Sequence, residues 1–179
     1  ATDRIHELLE EGRLKTPNNP VGYIPGEAGV MILLESESVA IARKASINAR
    51  LFQPVSKKQD TPNEPSTSHA LSDAIIEAKQ TAFGDEVVEG EFNTDLNGEA
   101  PRAREWGNVL VGLQNVGDFS EWEARFNAGS FGYVGVASPL LSIILQCRAF
   151  NRGYANSDKS IIAITEDGSM RSAIAMRGH

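Results

Sequence analysis

The chain has 179 residues, of which 41% are hydrophobic and 23% charged, which is typical of a globular domain large enough to bury a core. Its formal net charge of −7 argues against a nucleic-acid-binding surface, which usually carries a basic stripe. A single cysteine excludes an internal disulfide and a cysteine-cluster zinc site, and no apolar run reaches the roughly 18 residues of a membrane span, so we expect no membrane partner and a cytoplasmic location.

The first third of the chain is predicted to alternate between helix and extended structure. A lead-in, residues 1–20, consists of a short helix and a turn segment. The elements predicted from the apolar spacing, the glycines and the prolines are a helix over 2–12, an extended segment over 21–35, a helix over 36–44, a strand over 46–54 and a polar loop over 54–66.

The rest of the chain continues the alternation and closes with a hairpin. The predicted elements are a helix over 69–83, a strand over 87–92, a helix over 101–115, a helix from Ser138 to Gly153 and strands over 159–165 and 170–177. The helix after Ser138 is apolar almost all round, which predicts burial on both sides. The order implies a single α/β domain over residues 1–179, with a mixed five-stranded sheet in a βαβαβαββ arrangement and helices on both faces.

One segment resembles a known family. Residues Gly26–Glu35 read G-E-A-G-V-M-I-L-L-E and are followed by a helix with the pattern A-x-x-R-x-A, which ends at Ala45. This order is similar to that of β-ketoacyl synthases, condensing enzymes of the thiolase-like superfamily. The resemblance implies that the chain is the carboxyl-terminal half of a thiolase-like fold. It also implies that the amino-terminal half, here called the sister repeat, supplies the nucleophilic cysteine.

The loop after the third predicted strand lies where the family carries a histidine in an H-G-T-G-T motif. Asn93 takes that position, so the resemblance assigns Asn93 as a hydrogen-bond donor that cannot carry a proton. Asp95, Asn97 and Glu99 make the same loop acidic and polar. Two alternatives remain open: a fragment of a calcium-type loop, although we expect no metal, and a structural loop with charged neighbours pairing inward. Those neighbours are Arg102, Arg104 and Glu105.

A second loop lies where the family carries a G-H pair before its buried helix. Gly132 fits the glycine, and Tyr133 stands in place of the histidine, which makes Tyr133 the second candidate catalytic donor. Ser130 and Phe131 precede them as candidate substrate-binding residues. The alternative is that Tyr133 and Phe131 pack at the interface between the two halves.

A third family element is a glycine-rich gating turn near the carboxyl end. Gly168 and Ser169 align with it, but the gating phenylalanine is absent. Cys147 lies in the apolar helix among isoleucines and leucines, where a thiol is buried and inert, so we expect it to pack in the core rather than act as a nucleophile.

These observations lead to three functional hypotheses. The first is an acyltransferase of the β-ketoacyl synthase type, which performs a thioester Claisen condensation in fatty acid or polyketide synthesis. The second is a catalytically inactive ketosynthase-like subunit that stabilises an active partner or shapes its pocket. The third is a small-molecule-binding α/β domain unrelated to the family. For the first two, the resemblance implies acyl thioesters of coenzyme A or acyl carrier protein as substrates, no further cofactor, and a homodimer or heterodimer.

Overall fold

The computed structural model describes residues 2–59, 69–85, 89–116 and 119–179. These residues form six α-helices and six strands. The helices are α1 Thr2–Glu10, α2 Glu37–Ala42, α3 Ala70–Phe83, α4 Ala100–Val116, α5 Ala128–Phe131 and α6 Ser138–Arg152, the last preceded by a short 3-10 helix, Gly135–Ala137. The strands are β1 Ala49–Leu51, β2 Val55–Lys58, β3 Gly90–Thr94, β4 Trp122–Phe126, β5 Lys159–Thr165 and β6 Met170–Gly178.

The strands form one mixed sheet in the order β1-β6-β5-β3-β4, with β2 pairing alongside β1 on β6. Helical connections make β3 parallel to both β4 and β5, with Phe92 opposite Ala124 and Ile161. The closing hairpin pairs β5 with β6 antiparallel, with Ile162 opposite Ile174, as the Asp-Gly turn predicts. The mixed sheet of the prediction is therefore confirmed.

Helices cover both faces of the sheet, also as predicted. On one face α3 and α4 pack over a core built from aromatic and aliphatic side chains, with Phe92 in contact with Trp106 and Trp122 at ring-centroid distances of 5.4 and 4.8 Å. On the other face α6 packs through Ile143 against Ile162 and Met176. The alternation along β3 explains this division, since Phe92 points to the α3 and α4 side while its two neighbours face α6.

The boundaries of two predicted elements are wrong. The predicted strand 46–54 is shorter, and the predicted loop 54–66 begins with a strand, β2, over Val55–Lys58. β2 looks polar because it is an edge strand: Val55 packs on the core, while Lys57 pairs with Glu77 on α3. The remaining loop residues 60–66 lie outside the described residues.

The sheet has six strands rather than five because residues 21–35 form no strand of it, while two of its strands, β2 and β4, were not predicted. The sequence of β4, Trp-Glu-Ala-Arg-Phe, contains two charges that mask the strand signal. The predicted strand 87–92 lies instead at Gly90–Thr94, and residues 87 and 88 fall outside the described part of the chain. Glu89, Gly90 and Glu91 weaken this strand as a prediction. In the structure Glu91 is buried and accepts a hydrogen bond from Gln146 of α6.

Two elements differ from the prediction in their surroundings. Residues 27–35, predicted to be extended, belong to no helix or strand, and the preceding Pro25 makes an isolated bridge to Tyr133. Helix α6 is predicted to be buried on both sides, but here it is buried on one face, and Ile144 is 38% exposed. Both features leave apolar side chains at the surface on the same side of the sheet.

Candidate functional site

Three loops meet beyond the carboxyl ends of the parallel strands β3 and β5. They are residues 95–99 after β3, residues 165–169 after β5, and residues 127–135 before α6. In open α/β sheets this edge is where ligands bind, because the loops there surround a crevice. All three loops predicted to carry chemistry are therefore neighbours, and an arginine from the first turn of α4 joins them.

Arg102 is the centre of this cluster. Its guanidinium donates to Asp95 Oδ2 at 2.9 Å, to the Thr165 carbonyl oxygen at 2.9 Å and to Asp167 Oδ1 at 3.0 Å. It also lies 5.0 Å from the centroid of the Tyr133 ring and 3.4 Å from its hydroxyl. One side chain from each of the three loops thus contacts the same guanidinium.

Asp95 is held from two sides. It accepts hydrogen bonds from the Thr165 backbone N–H and hydroxyl, both at 2.8 Å, besides the bond from Arg102. Burial raises the pKa of Asp95, and the Arg102 charge and the Thr165 donors oppose that rise. Burial also raises the pKa of Tyr133, so its phenol stays protonated at neutral pH and can donate a hydrogen bond.

Asn97 and Glu99 form a second branch that fastens the β3 loop to the lead-in. Glu99 accepts from Arg13 Nε at 2.8 Å and Nη2 at 3.0 Å, a two-point pairing, and from Asn97 Nδ2 at 2.7 Å. The buried Asn97 in turn accepts from the Glu99 backbone N–H and, through its carbonyl, from Ile24 N–H. These contacts connect the loop to the lead-in, and a substrate-binding or loop-structuring role for Asn97 and Glu99 stays a prediction.

Asn93 lies inside the sheet rather than in the loop. Its side-chain amide donates to Gln146 Oε1 at 2.8 Å and to Ser160 Oγ at 3.0 Å, and the residue is 2% exposed. Gln146 then donates to Glu91, which also pairs with Arg125. A donor role for Asn93 toward a thiolate stays a prediction, and it would require that both of these hydrogen bonds be given up.

The loop that carries Tyr133 is fixed by close backbone contact with residues 24–26. The Tyr133 N–H donates to the Ile24 carbonyl at 2.6 Å, and the Gly26 N–H donates to the Tyr133 carbonyl at 3.1 Å. Gly132 has φ +73°, and a Cβ there would lie 2.2 Å from the Pro25 carbonyl oxygen, so only glycine fits. The glycine-bounded segment therefore positions Tyr133 over Arg102.

The remaining predicted residues lie at the edge of the cluster or outside it. Ser130 and Phe131 are exposed, Phe131 by 53%, and neither contacts Arg102. Gly168 and Ser169 act through their carbonyls, which accept from Arg171 Nη1 at 2.9 Å and from Gln59 N–H at 2.7 Å. Both therefore shape the turn next to Asp167.

The sequence did not predict that Thr165 and Asp167 contact Arg102 and so connect the three loops. It did suggest that charged residues next to the β3 loop form ion pairs within the fold. Of those, Arg102 pairs with Asp95 and Glu105 pairs with the buried Arg171, whereas Arg104 is exposed. Thr165 and Asp167 carry no sequence signal beyond their place in the hairpin. Only the fold brings them to Arg102.

The reactions that this cluster can perform are limited because its carboxylates are paired with arginines. None of the chain's three histidines lies in the three loops, and the carboxylates of Asp95 and Glu99 are both paired with arginines. The Tyr133 hydroxyl is the group in this cluster best suited to stabilise a developing oxyanion, because it can donate a hydrogen bond while it accepts one from Arg102. The half-buried Cys147 does not belong to this cluster. It lines a cavity next to α6, and burial raises the pKa of its thiol.

Among the described residues, no group of three or more histidine, cysteine, aspartate or glutamate side chains is arranged to hold a metal ion. No helix of the described chain combines the length and hydropathy that crossing a bilayer requires.

Comparison with known proteins identifies the fold. No protein-family model and no curated protein sequence matches the chain. Among solved structures, the chain resembles the oxazolomycin ketosynthase domain OzmH KS7 of Streptomyces albus JA3453, with a TM-score of 0.79 at 13% identity over 100% of this chain. It also resembles the ketosynthase from module 6 of the bacillaene synthase of Bacillus subtilis 168, with a TM-score of 0.78 at 9% identity over 100% of this chain.

A third similar structure is the ishigamide ketosynthase/chain length factor, with a TM-score of 0.76 at 13% identity over 98% of this chain. The chain spans 40% of each of the first two proteins and 51% of the third. The chain therefore has a ketosynthase-like, thiolase-type fold corresponding to about half of these longer chains.

Proposed function

We propose that this chain, with the fold of a ketosynthase half, belongs to a ketosynthase-like subunit that lines an acyl-thioester pocket without performing the condensation. The observation that carries the proposal is the Arg102 cluster. At the edge where the three loops meet, Asp95, Asp167 and Tyr133 are bound to one arginine rather than left free for a substrate.

The ion pairs bear directly on catalysis. Decarboxylative condensation needs a thiolate, donors for the enolate that forms on loss of carbon dioxide, and an oxyanion hole. Here Arg102 and Asp95 are 10% and 9% exposed and already paired, and Asn93 donates to Gln146 and Ser160. A loop organised by buried pairs supports a role in holding the shape of a pocket.

The partner and substrate classes follow from the same proposal. The sister repeat completes the fold, and the subunit pairs with an active condensing enzyme, as a heterodimer, or with its own copy. The ligand is an acyl thioester of coenzyme A or acyl carrier protein. One solved structure similar to this chain is a type II polyketide acyl-carrier protein in complex with its ketosynthase bound to the hexaketide, which supports this ligand class by analogy.

A second candidate is an active acyltransferase that uses Tyr133 in place of histidine. The observation in its favour is that the half-buried Tyr133 hydroxyl lies 3.4 Å from a guanidinium nitrogen, which polarises it as a donor. In this alternative the sister repeat supplies the nucleophilic cysteine.

One experiment separates the two candidates. The full-length protein that contains this chain is incubated with radiolabelled malonyl and acyl thioesters, and binding, covalent labelling and carbon dioxide release are measured. We expect binding without covalent labelling or decarboxylation above background. If the wild type is labelled and releases carbon dioxide, and both signals fall at least about tenfold in Tyr133→Phe, the active alternative is established. Absence of thioester binding would contradict both candidate functions.

A further inference from the structure

The sheet ends at β4, and one side of this strand lacks a neighbour. Strand β4 is last in the strand order and, among the described strands, pairs only with β3. The Gly90 N–H donates to the Glu121 carbonyl, so every second residue from Glu121 onward turns its backbone groups toward β3. The backbone groups of Ala124 and Phe126 therefore point outward, and within the described residues no backbone hydrogen bond outside the β3–β4 pairing engages them.

The side chains of β4 leave this edge uncovered. Trp122 is buried in the core, but Glu123 and Ala124 are exposed and Phe126 is 60% exposed. A strand whose outer backbone groups are open is a template for a further strand. The exposed phenylalanine adds apolar surface that is stabilised by contact with another apolar group. The β4 edge therefore favours pairing with a further strand.

The sequence of β4, Trp-Glu-Ala-Arg-Phe, is complementary to itself when two copies run antiparallel. Pairing centred on Ala124 places Glu123 opposite Arg125 of the second copy, on both sides of a two-fold axis. The same register places Trp122 opposite Phe126 of the second copy. Opposite charges and aromatic pairs at directly opposed positions both stabilise antiparallel strands. Each face of the joined sheet would thus carry a favourable pair of side chains.

The backbone is arranged for the same register. Because the N–H and C=O groups of Ala124 point outward, this residue and its copy can exchange both of their backbone hydrogen bonds. The Phe126 N–H faces the same way and can donate to the Trp122 carbonyl of the second copy. A single register therefore satisfies both the backbone and the side chains.

Other registers of self-pairing are unfavourable. Antiparallel pairing centred on Glu123 or on Arg125 places that residue opposite its own copy, and parallel in-register pairing places each charge next to its own copy. Like charges at such positions destabilise a strand pair. The charges of β4 therefore select the register centred on Ala124.

Arg125 and Glu123 can form this pair without losing their present contacts. Among the described residues, Arg125 donates to Glu91 and to the Tyr154 carbonyl through Nη2. Its Nε and Nη1 can still donate to a second carboxylate. Glu123 accepts from Asn156 through Oε2 at 2.6 Å, which leaves Oε1 for an arginine.

We propose that the β4 edge binds the β4 edge of a second copy of this chain, antiparallel and centred on Ala124, so that two sheets become one continuous sheet across a two-fold axis. The complementarity between Glu123 and Arg125 identifies the second copy as the occupant. The interface goes beyond the proposed function, because it requires neither a thioester nor the Arg102 cluster.

Cross-linking of the full-length protein tests the proposal. Ala124→Cys places two thiols opposite each other on the axis, where a hydrogen-bonded antiparallel pair has a Cα–Cα distance of about 5.5 Å, which a disulfide spans. Val111→Cys is the control, because Val111 is 59% exposed on α4. Under mild oxidation we expect the covalent dimer to form at least about tenfold faster in Ala124→Cys. Equal rates would overturn the proposal.

A pair of charge reversals in the Ala124→Cys background tests the register. Glu123→Arg places two arginines opposite each other in the joined sheet, whereas Glu121→Arg makes the same change in net charge just outside β4. We expect Glu123→Arg to slow cross-linking at least about tenfold and Glu121→Arg to change it by less than about twofold. Equal effects would overturn the proposal, because they would reflect net charge alone.

Hydrogen exchange of the unmodified full-length protein distinguishes the second copy from any other occupant. We expect the amides of Ala124 and Phe126 to become more protected as the protein concentration rises. Protection that does not depend on concentration would overturn the proposal, since a strand of the same molecule would then cover the edge. Absence of protection at the highest concentration would also overturn it. Neither result would affect the proposed function, which thioester binding tests separately.

Discussion

At the scale of single residues, Arg102 holds the candidate site together through ion pairs and hydrogen bonds, without itself taking part in a reaction. It contacts three loops that are far apart in sequence, and its side chain is 10% exposed. Removing one member of a buried ion pair is costly because the other charge remains buried and loses its partner. The stability of the loops, and with it the shape of the crevice, depends on this arginine.

We therefore expect Arg102→Met to lower the free energy of unfolding by about 3 kcal/mol. Arg104→Met is the matched control, because Arg104 is exposed on the same helix and, among the described residues, makes only a weak hydrogen bond, 3.4 Å, to the Ala100 carbonyl. Urea unfolding measures both variants. Equal, small losses in the two variants would show that the cluster contributes little to stability.

Glu99 makes part of the stability dependent on pH. Burial acts to raise its pKa, but the hydrogen bonds from Arg13 and Asn97 outweigh burial and lower the pKa below the ordinary 4.5. A carboxyl whose pKa is lower in the folded state stabilises that state above its unfolded pKa and loses the effect as the pH falls through the folded value.

We expect the free energy of unfolding of the Glu99→Gln variant to depend less on pH below about 4.5 than that of the wild type. Arg13→Leu should reduce the sensitivity in the same way, since it removes the two-point pairing. Denaturant unfolding between acidic and neutral pH provides the measurement. A wild-type slope that both variants retain would assign the acid sensitivity to other carboxyls.

At the scale of elements, α6 combines a buried face with an apolar face that this chain leaves open. Ile143 is 5% exposed and Ile144 is 38% exposed, although the two are neighbours in sequence. Periodicity alone cannot explain an apolar residue at both positions, because a helix on a single sheet needs only one apolar face. The proposed sister repeat would cover the second apolar face.

In the full-length protein we expect Ile143→Ala and Ile144→Ala each to lower the free energy of unfolding by about 2–4 kcal/mol, as for buried isoleucines. Chemical denaturation of the two variants side by side tests this. A loss for Ile144→Ala below about 1 kcal/mol, with a full loss for Ile143→Ala, would show that the outer face of α6 stays exposed.

At the scale of the whole molecule, several exposed apolar side chains belong to segments that line one cavity. Met31, Leu33, Ile41 and Ile144 lie in residues 27–35, α2 and α6, which border the cavity next to α6. A surface of this extent and composition favours association. The net charge of −7 opposes it only weakly at physiological salt.

Produced without a sister repeat, the chain is expected to self-associate in sedimentation experiments, and the double variant Leu33→Asp with Ile144→Asp should shift it toward monomer. The reason is that both changes place charges within the apolar surface. A wild-type chain that sediments as a monomer at its highest soluble concentration would contradict the need for a covering partner.

The sequence alone determined the fold class and most element types, because these depend on local patterns. Helical spacing located α3, α4 and α6, and the Asp-Gly turn located the β5–β6 hairpin. The glycine-bounded run before Glu35 led to the ketosynthase-like fold that the solved structures bear out. The short strands β2 and β4 were not predicted, because edge strands with charged residues lack a clear alternation of apolar and polar side chains.

Only the tertiary structure decided which polar residues meet. The sequence suggested Asn93 and Tyr133 as partners around one reacting group, yet Asn93 points toward Gln146 beneath α6, while Tyr133 lies on Arg102. Strand alternation and the crossing of three loops set these directions, and neither can be read from spacing along the chain. The environment of each polar group, and hence whether it is free to act, is a property of the folded neighbourhood.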